Sequence, residues 1–401
     1  MPGTLLSQTW HFNPTIDAPA RFRRACKYNA FIPTELSALK FSLGAGVAGA
    51  VSEAEQAIHE LNAHATPGLG AMARLLLRSE SIASSKIEGM QLDVRELARA
   101  EARMDTGGRV SDTAREVIGN IDAMILAVDS ASAVSTFKKS AILDIHRRLL
   151  ERATNRHIAG RFRIEQNWIG GNDYNPCGAE FVPPPPKDVP RLLADLCATI
   201  NDDQLPPVMQ AALVHAQFET IHPFDDGNGR TGRALIHVVL RRRRIATHYV
   251  PPISVALAMG KQRYVAGLTA FRGDGVQDWI EYFAAAAMRG ARLASAYLAA
   301  VRELCDRWRE QLRNAHRPPR SDAAAWRLID ALPGHPMITA AMASEAVGRS
   351  RPQIHVAIDQ LAAAGVVVPV SPGRRNVAWE PVGLLDLIAH LETGRLPPSS
   401  K

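Results

Sequence analysis

Residues 222–233 read HPFDDGNGRTGR, and an apolar run stands on either side, PVMQAALVHAQFETI before and ALIHVVLRR after. Both runs read as helix, so the quoted residues form a tight loop that opens the second helix. A solvent loop has no need of this composition, and a core helix would not tolerate three glycines so close together. Gly227, Gly229 and Gly232 free the backbone to bend and turn its N–H groups inward. Such a nest at a helix N-terminus holds anions, phosphates above all. Arg230 and Arg233 are three apart, so both can lean over one turn and clamp phosphate oxygens. Asp226 offers a hard oxygen suited to Mg²⁺, which takes one or two protein carboxylates plus phosphates. His222 stands before the nest and suits a base that works at neutral pH. Phe224 is expected to turn inward and anchor the loop. Taken singly, a histidine is more often structural and an Asp-Gly is usually a turn; their joint occurrence in one loop is specific. The loop is not a P-loop, because the Gly-Lys-Ser/Thr ending is missing. Nor is it a zinc site, because His222 and Asp226 lack a third ligand nearby.

The rest of the chain bounds the answer. It has 401 residues, 46% hydrophobic and 22% charged, which reads as soluble and globular with room for two or three domains. Cys26, Cys177, Cys197 and Cys305 are widely spaced. They read as neither a metal set nor a disulfide framework, so a reducing, cytoplasmic location is expected. The opening MPGTLLSQTW has no apolar h-region, and no run of membrane-spanning length appears. The net charge of +7 permits an anionic partner without requiring one. The run Arg241–Arg244 ends an apolar helix and reads first as a solvated helix end, with a functional basic patch as the alternative.

Most of the sequence reads as helix. An island from Ile164 to Pro186 does not: NWI and EFV flank a Gly/Asn/Pro turn, so a β-hairpin is expected, either capturing an extended segment by strand addition or merely covering the core. HRPPRSD at 316–322 is the clearest linker. Beyond it come a helix, a helix-turn-helix and a hairpin, the order of a winged helix-turn-helix. There Ser350 caps the second helix and Gly365 ends it; Arg349, Arg351 and Gln353 lie near its start, and Arg374 and Arg375 at the wing tip. Such a module either binds DNA in a major groove or docks protein.

HPFDDGNGRTGR resembles the Fic (filamentation induced by cAMP) motif, His-x-Phe-x-Asp/Glu-Gly-Asn-Gly-Arg-x-x-Arg, at every defined position. The resemblance implies a mainly α fold: a Fic helical core with a β-hairpin flap, an N-terminal helical region and a C-terminal winged helix-turn-helix domain. It implies transfer of AMP from ATP to a Ser, Thr or Tyr hydroxyl of a protein. His222 would be the base, and Asp226 would hold Mg²⁺. Gly227, Asn228, Gly229, Arg230, Thr231, Gly232 and Arg233 would bind the nucleotide. GRFR, QNWIGG and FVPPPP resemble the flap that aligns the target, with Ile169 and Gly170 near the acceptor. SIASSKIEG resembles the inhibitory motif Ser/Thr-x-x-x-Glu-Gly/Asn, filled by Ser84, Glu88 and Gly89, with Glu88 expected to pair with Arg233. A carboxylate there would occupy the clamp meant for the γ-phosphate. Many relatives place a Tyr or Asn near the adenine, where PPISVALAMG offers Met259.

The expected divisions are an N-terminal helical region carrying the inhibitory motif (1–110), a catalytic core with flap (111–315) and the winged helix domain (320–401). An autoinhibited adenylyltransferase is the first reading. Removal of AMP from a modified protein, and a nucleotide-sensing transcriptional regulator, are the alternatives. Expected partners are ATP and a protein substrate, with DNA at the winged helix and a second copy of the chain as further candidates, and no membrane.

Overall fold

A computed structural model describes residues 3–12, 14–15, 17–63, 70–370 and 377–397. The first elements are not the expected helices. β1 (Gly3–Trp10) and β2 (Cys26–Pro33) form an antiparallel pair with Leu5 opposite Phe31. Tyr28 and Ala30 alternate as buried positions along β2, the period-2 pattern of a half-buried strand. The N-terminal region is therefore part sheet, and its helices begin only at α1 (Ala45–Ala63).

Three helices follow: α2 (Gly70–Ile87), α3 (Val94–Asp105) and α4 (Asp112–Ile125). Asp93 and Ser111 cap the last two by accepting backbone N–H groups. Next come α5 (Lys139–Leu150), the island with the flap, and α6 (Val189–Asn201). The helices flanking the motif are α7 (Pro207–Ile221) and α8 (Asn228–Arg242). Every residue from Val208 to Ile221 is buried, so α7 is an axial helix wrapped on all sides. Then α9 (Ile253–Met259), α10 (Lys261–Phe271) and the long α11 (Val276–Arg313) close the core.

The tail holds α12 (Ala324–Ala331), β3 (Ile338–Thr339), α13 (Ala340–Val347), α14 (Arg351–Ala363), β4 (Val367–Pro369), β5 (Ala378–Pro381) and α15 (Leu384–Glu392). Its strands run in the order β3-β5-β4. Ser350 and Gln353 form a capping box at the start of α14, and Gly365 follows its end with φ +74°. The Gln353 side chain is thus spent on its own helix. Arg374 and Arg375 lie outside the described residues. The closing helix α15 is an addition to the expected set.

Two sequence readings are corrected here. The arginines 241–243 serve neither as a bare solvated end nor as a free patch. Arg241 donates to the Ala246 carbonyl, Arg242 to the Val134 carbonyl and Arg243 to the Leu205 carbonyl, so they tie loops to the end of α8. Cys26 and Cys177 are joined as a disulfide across 151 positions, linking β2 to the island. Sequence spacing carries no sign of this pair, because the fold brings the two segments together. Cysteine usage therefore no longer argues for a reducing compartment. Among the described residues no helix is long and apolar enough to cross a membrane.

Candidate active site

His222 ends α7 with φ 48° and ψ 61°, a left-handed backbone that β-branched residues resist. This turn swings the imidazole to the mouth of a cavity of about 1040 Å³ lined by Glu88, Glu219, His222, Gly229, Arg233 and Tyr264 among others. The turn is well held. Arg163 donates from Nε to the His222 carbonyl at 2.8 Å, and Asn167 donates to the Phe224 carbonyl at 3.0 Å. Phe224 is fully buried and stacks on His146 at 3.6 Å, as the anchor reading expects. The His222 Nδ1 faces the Glu219 carbonyl at 3.3 Å. An N–H at Nδ1 satisfies that oxygen and leaves the Nε2 lone pair free. Burial, with Arg163 and Arg272 adding to it, pulls the His222 pKa down to about 4. The imidazole is therefore neutral at physiological pH, the form a base requires.

The nest departs from its simplest reading at Asn228. That side chain accepts from the Phe224 N–H at 2.9 Å and donates to the Phe224 carbonyl at 2.8 Å, stapling the loop closed. These two bonds fix the Asn228 amide at the start of α8. Thr231 is buried, and its hydroxyl has no partner. Gly227 has φ +78°, which favours glycine, and Leu149 and His146 crowd it. At Gly229 a Cβ would stand 2.9 Å from the Arg233 Nη1 and would collide with the Glu88 carboxylate. Gly232 faces inward, where a Cβ would lie 2.7 Å from a Glu219 oxygen. The two later glycines thus make room for carboxylates.

The two motif arginines do not converge. Arg230 lies 3.4 Å from Glu116 and 3.6 Å from Asp226. Arg233 turns to α2: it donates to the Ser84 hydroxyl at 2.9 Å, the Ser84 carbonyl at 2.8 Å and the Glu88 carboxylate at 2.7 Å. Burial works against its charge, but Glu88, Tyr264 and Glu219 outweigh that and raise its pKa. Burial likewise opposes the Glu88 charge, and Arg233 overcomes it, so the Glu88 pKa is lowered. Gly89 follows with φ +85°, and the Met90 N–H closes back on the Ser85 carbonyl at 3.1 Å, which ends α2 at Ile87 and puts Glu88 in the turn that closes it. Ser84, Glu88 and Arg233 are together as the sequence predicts.

Asp226 accepts from the Gly227 N–H at 2.6 Å and from Asn155 at 2.7 Å, and its side chain is 47% exposed. Arg230 also lies 3.6 Å from the oxygen that Asn155 meets, and the carboxylate still reaches solvent. One accessible carboxylate beside an anion nest suits Mg²⁺ arriving with phosphates. Among the described residues no cluster of three metal-ligating side chains exists that would hold an ion by protein alone.

The flap is short. Ile169 and Phe181 form one antiparallel bridge, with N–H to carbonyl distances of 2.8 and 3.2 Å. Ile169 and Gly170 line the cavity with His222. On its far edge the flap is joined by β2, whose Phe31 N–H reaches the Val182 carbonyl at 2.9 Å. That hairpin and its contacts were missed, because alternation in so short a run competes with a helical reading.

Met259 is placed elsewhere. It is 47% exposed at the end of α9 and packs against Gly394, in a hollow apart from the His222 cavity. The cavity wall comes from α10 instead: Lys261, Tyr264, Val265, Leu268 and Arg272 line it. Their spacing of three and four is one face of a helix, and that periodicity was the signal available in the sequence. Glu219 was also missed. It is 7% exposed, one of its oxygens has no partner, and burial pushes its pKa up to about 7 against the pull of Arg233.

Known proteins agree with this geometry. The Fic/DOC family model matches residues 136–240, and the Fic/DOC family N-terminal model matches residues 48–129. Protein adenylyltransferase Fic of Drosophila grimshawi is 31% identical over 191 residues, which cover 46% of this chain and 35% of that protein. The protein of the same name from Aedes aegypti is 31% identical over 215 residues, covering 51% and 38%. The chain thus spans little more than a third of these relatives. A Fic family protein from Desulfovibrio desulfuricans G20 shares the fold, with a TM-score of 0.52 and 20% identity over 86% of this chain and 98% of that one. The motif loop, the helices around it and both family models point one way: residues 48–129 and 136–240 are similar to the Fic/DOC family.

Proposed function

We propose that this chain is an autoinhibited protein adenylyltransferase, which transfers AMP from ATP to a Ser, Thr or Tyr hydroxyl of a protein, itself included. The observation that carries this reading is the meeting of three groups in one cavity: a neutral His222, the glycine nest, and Arg233 occupied by Glu88. The names of the relatives, protein adenylyltransferase Fic, support it.

The chemistry follows from the atoms. His222 Nε2 takes the proton of the target hydroxyl. The hydroxyl oxygen bonds to the α-phosphorus, the bond from that phosphorus to the bridging oxygen breaks, and pyrophosphate leaves with the electron pair. The N–H groups at the start of α8 hold phosphate oxygens through partial charges that need no reorganisation. Mg²⁺, held by Asp226, would neutralise phosphate charge. In the closed arrangement Glu88 sits where a γ-phosphate would meet Arg233, so ATP could enter but not align for in-line attack.

A second reading rests on Glu88 itself. Its side chain is 37% exposed and opens on the cavity, so it could orient a water that removes AMP from a modified protein. DNA binding by the tail is a further proposal, resting on Arg349 and Arg351 at the start of α14; a shift of labelled duplex DNA lost in Arg351→Glu is its test. The deciding experiment supplies ATP labelled at the α-phosphate, with Mg²⁺ and cell lysate, to wild type, Glu88→Gly, His222→Ala and the double variant. Strong labelling by Glu88→Gly alone supports the transferase. Silence of Glu88→Gly, with release of AMP from a pre-modified protein by wild type, supports the reverse reaction.

A further inference from the structure

Helix α2 carries charge on two opposite sides. Ser84 and Glu88 face α8, where they hold Arg233. Lys86 lies between them in sequence, and at 100° per residue it points nearly the opposite way. There it meets the C-terminal module: Lys86 donates to Glu392 of α15 at 2.6 Å, and the Glu392 side chain is 1% exposed. Arg78, two turns earlier and 4% exposed, is engaged by Glu101 of α3, which leaves Lys86 as the cation that Glu392 meets. A carboxylate this deeply buried against one cation is a strong constraint, because breaking such a pair strands a buried charge.

The module grips the neighbouring segment as well. Arg95, just past the turn that ends α2, pairs with Glu380 of β5 and Asp386 of α15. Thr339 of β3 donates to Asp105 at the end of α3. At the other end of α2, a Cβ on Gly334 would lie 3.1 Å from the Ala71 backbone. The inhibitory helix is thus held at its start, at its last turn and just beyond it by residues from the tail of the chain. No contact within the catalytic loop requires this.

We propose that the C-terminal module regulates the Glu88 brake: Glu392, through Lys86, holds the last turn of α2 against α8, and drawing α15 away frees Glu88 from Arg233. The inference rests on the reading of Glu88 as an inhibitor. It makes the tail the place where a signal enters, and it makes coupling between tail and cavity reciprocal. ATP that displaces Glu88 should loosen α15, just as loosening α15 should admit productive ATP.

The test uses the full chain with Glu392→Gln and, separately, Lys86→Met, which keeps the aliphatic stem at a partly exposed position. Each is made in wild type and in Glu88→Gly, and thermal melts check folding. Two readings are taken: protein labelling from ATP labelled at the α-phosphate, and hydrogen exchange over residues 84–90. The clamp requires faster exchange over 84–90 in both variants. It also requires labelling raised roughly 5-fold or more over wild type, with no further gain on top of Glu88→Gly. Unchanged exchange, or equal gains in both backgrounds, would overturn it. Silence of Glu88→Gly would remove the inhibitor reading alone, and hydrogen exchange would still decide the clamp.

Discussion

Glu80 and Glu88 stand about two turns apart on the same face of α2, and both reach toward α8. Glu80 is sealed. Its carboxylate meets His237 at 2.8 Å and accepts from both the Ser254 N–H at 2.7 Å and the Ser254 hydroxyl at 2.5 Å, with no exposure on either the glutamate or the histidine. Glu88 is held by one residue of α8, Arg233 at 2.7 Å, and is 37% exposed. The difference separates an anchor from a latch. A carboxylate with three hydrogen bonds in low dielectric cannot leave without stranding its partners. A carboxylate at the lip of a cavity can exchange its partner for water, or yield it to a competing phosphate.

The largest expected effect removes what the latch guards. His222→Ala in the Glu88→Gly background should lower the transfer rate roughly 100-fold or more, measured as label incorporated at saturating ATP, with ATP affinity little changed. A loss confined to affinity would show that His222 holds nucleotide and is not the base. The next two variants set anchor against latch. Glu80→Ala should cost about 3 kcal/mol of stability, read by denaturant unfolding, because His237 and Ser254 lose their shared acceptor. Glu88→Gly should lower the unfolding midpoint less than Glu80→Ala does, because Arg233 keeps the Ser84 hydroxyl and carbonyl, while raising transfer about 10-fold, the scale of an ordinary coupling energy. Equal destabilisation by both would erase the distinction.

Parts of this arrangement were legible and parts were not. The motif loop was readable because its chemistry is local: His222, the glycines and Arg233 lie within a dozen residues, and each residue type has a narrow set of uses. Glu88 became readable only beside that motif. The flap was legible as a break in helical composition. Two things were hidden for one physical reason, which is that they depend on segments far apart in sequence. Cys26 meets Cys177 only when β2 docks on the flap. Lys86 meets Glu392 across 306 positions. The Asn228 amide was hidden for a local reason instead: the loop turns so tightly that both backbone groups of Phe224, four positions before it, meet the side chain. Met259 failed differently: the break at Gly260 rotates the next helix, and Tyr264 and Leu268 take the wall that Met259 was expected to supply.

The smallest effect concerns the second carboxyl near Arg233, Glu219. Glu219 is buried, though less completely than Glu80, and it has no anchor: one oxygen is unpartnered, and the other stands 4.0 Å from His222. Burial, reinforced by Glu88 and opposed by Arg233 and Arg272, lifts its pKa to about 7. A carboxyl whose folded pKa is raised binds a proton more tightly when folded than when unfolded. The stability from that proton is present at pH 4 and is lost as the pH rises toward 7 and past it. Glu219→Gln removes this loss, so the variant should match wild type near pH 4 and become the more stable of the two by pH 8. The difference should grow by at most about 1.4 kcal/mol per pH unit for one proton. Denaturant midpoints of both proteins from pH 4 to 8 measure it. In Glu88→Gly the repulsion from the neighbouring carboxylate is gone and the folded Glu219 pKa falls, so the same pair of curves should stop diverging at a lower pH and reach a smaller final gap. A difference that ignores Glu88 would place Glu219 outside the field of the latch and leave Arg233 with Glu88 alone.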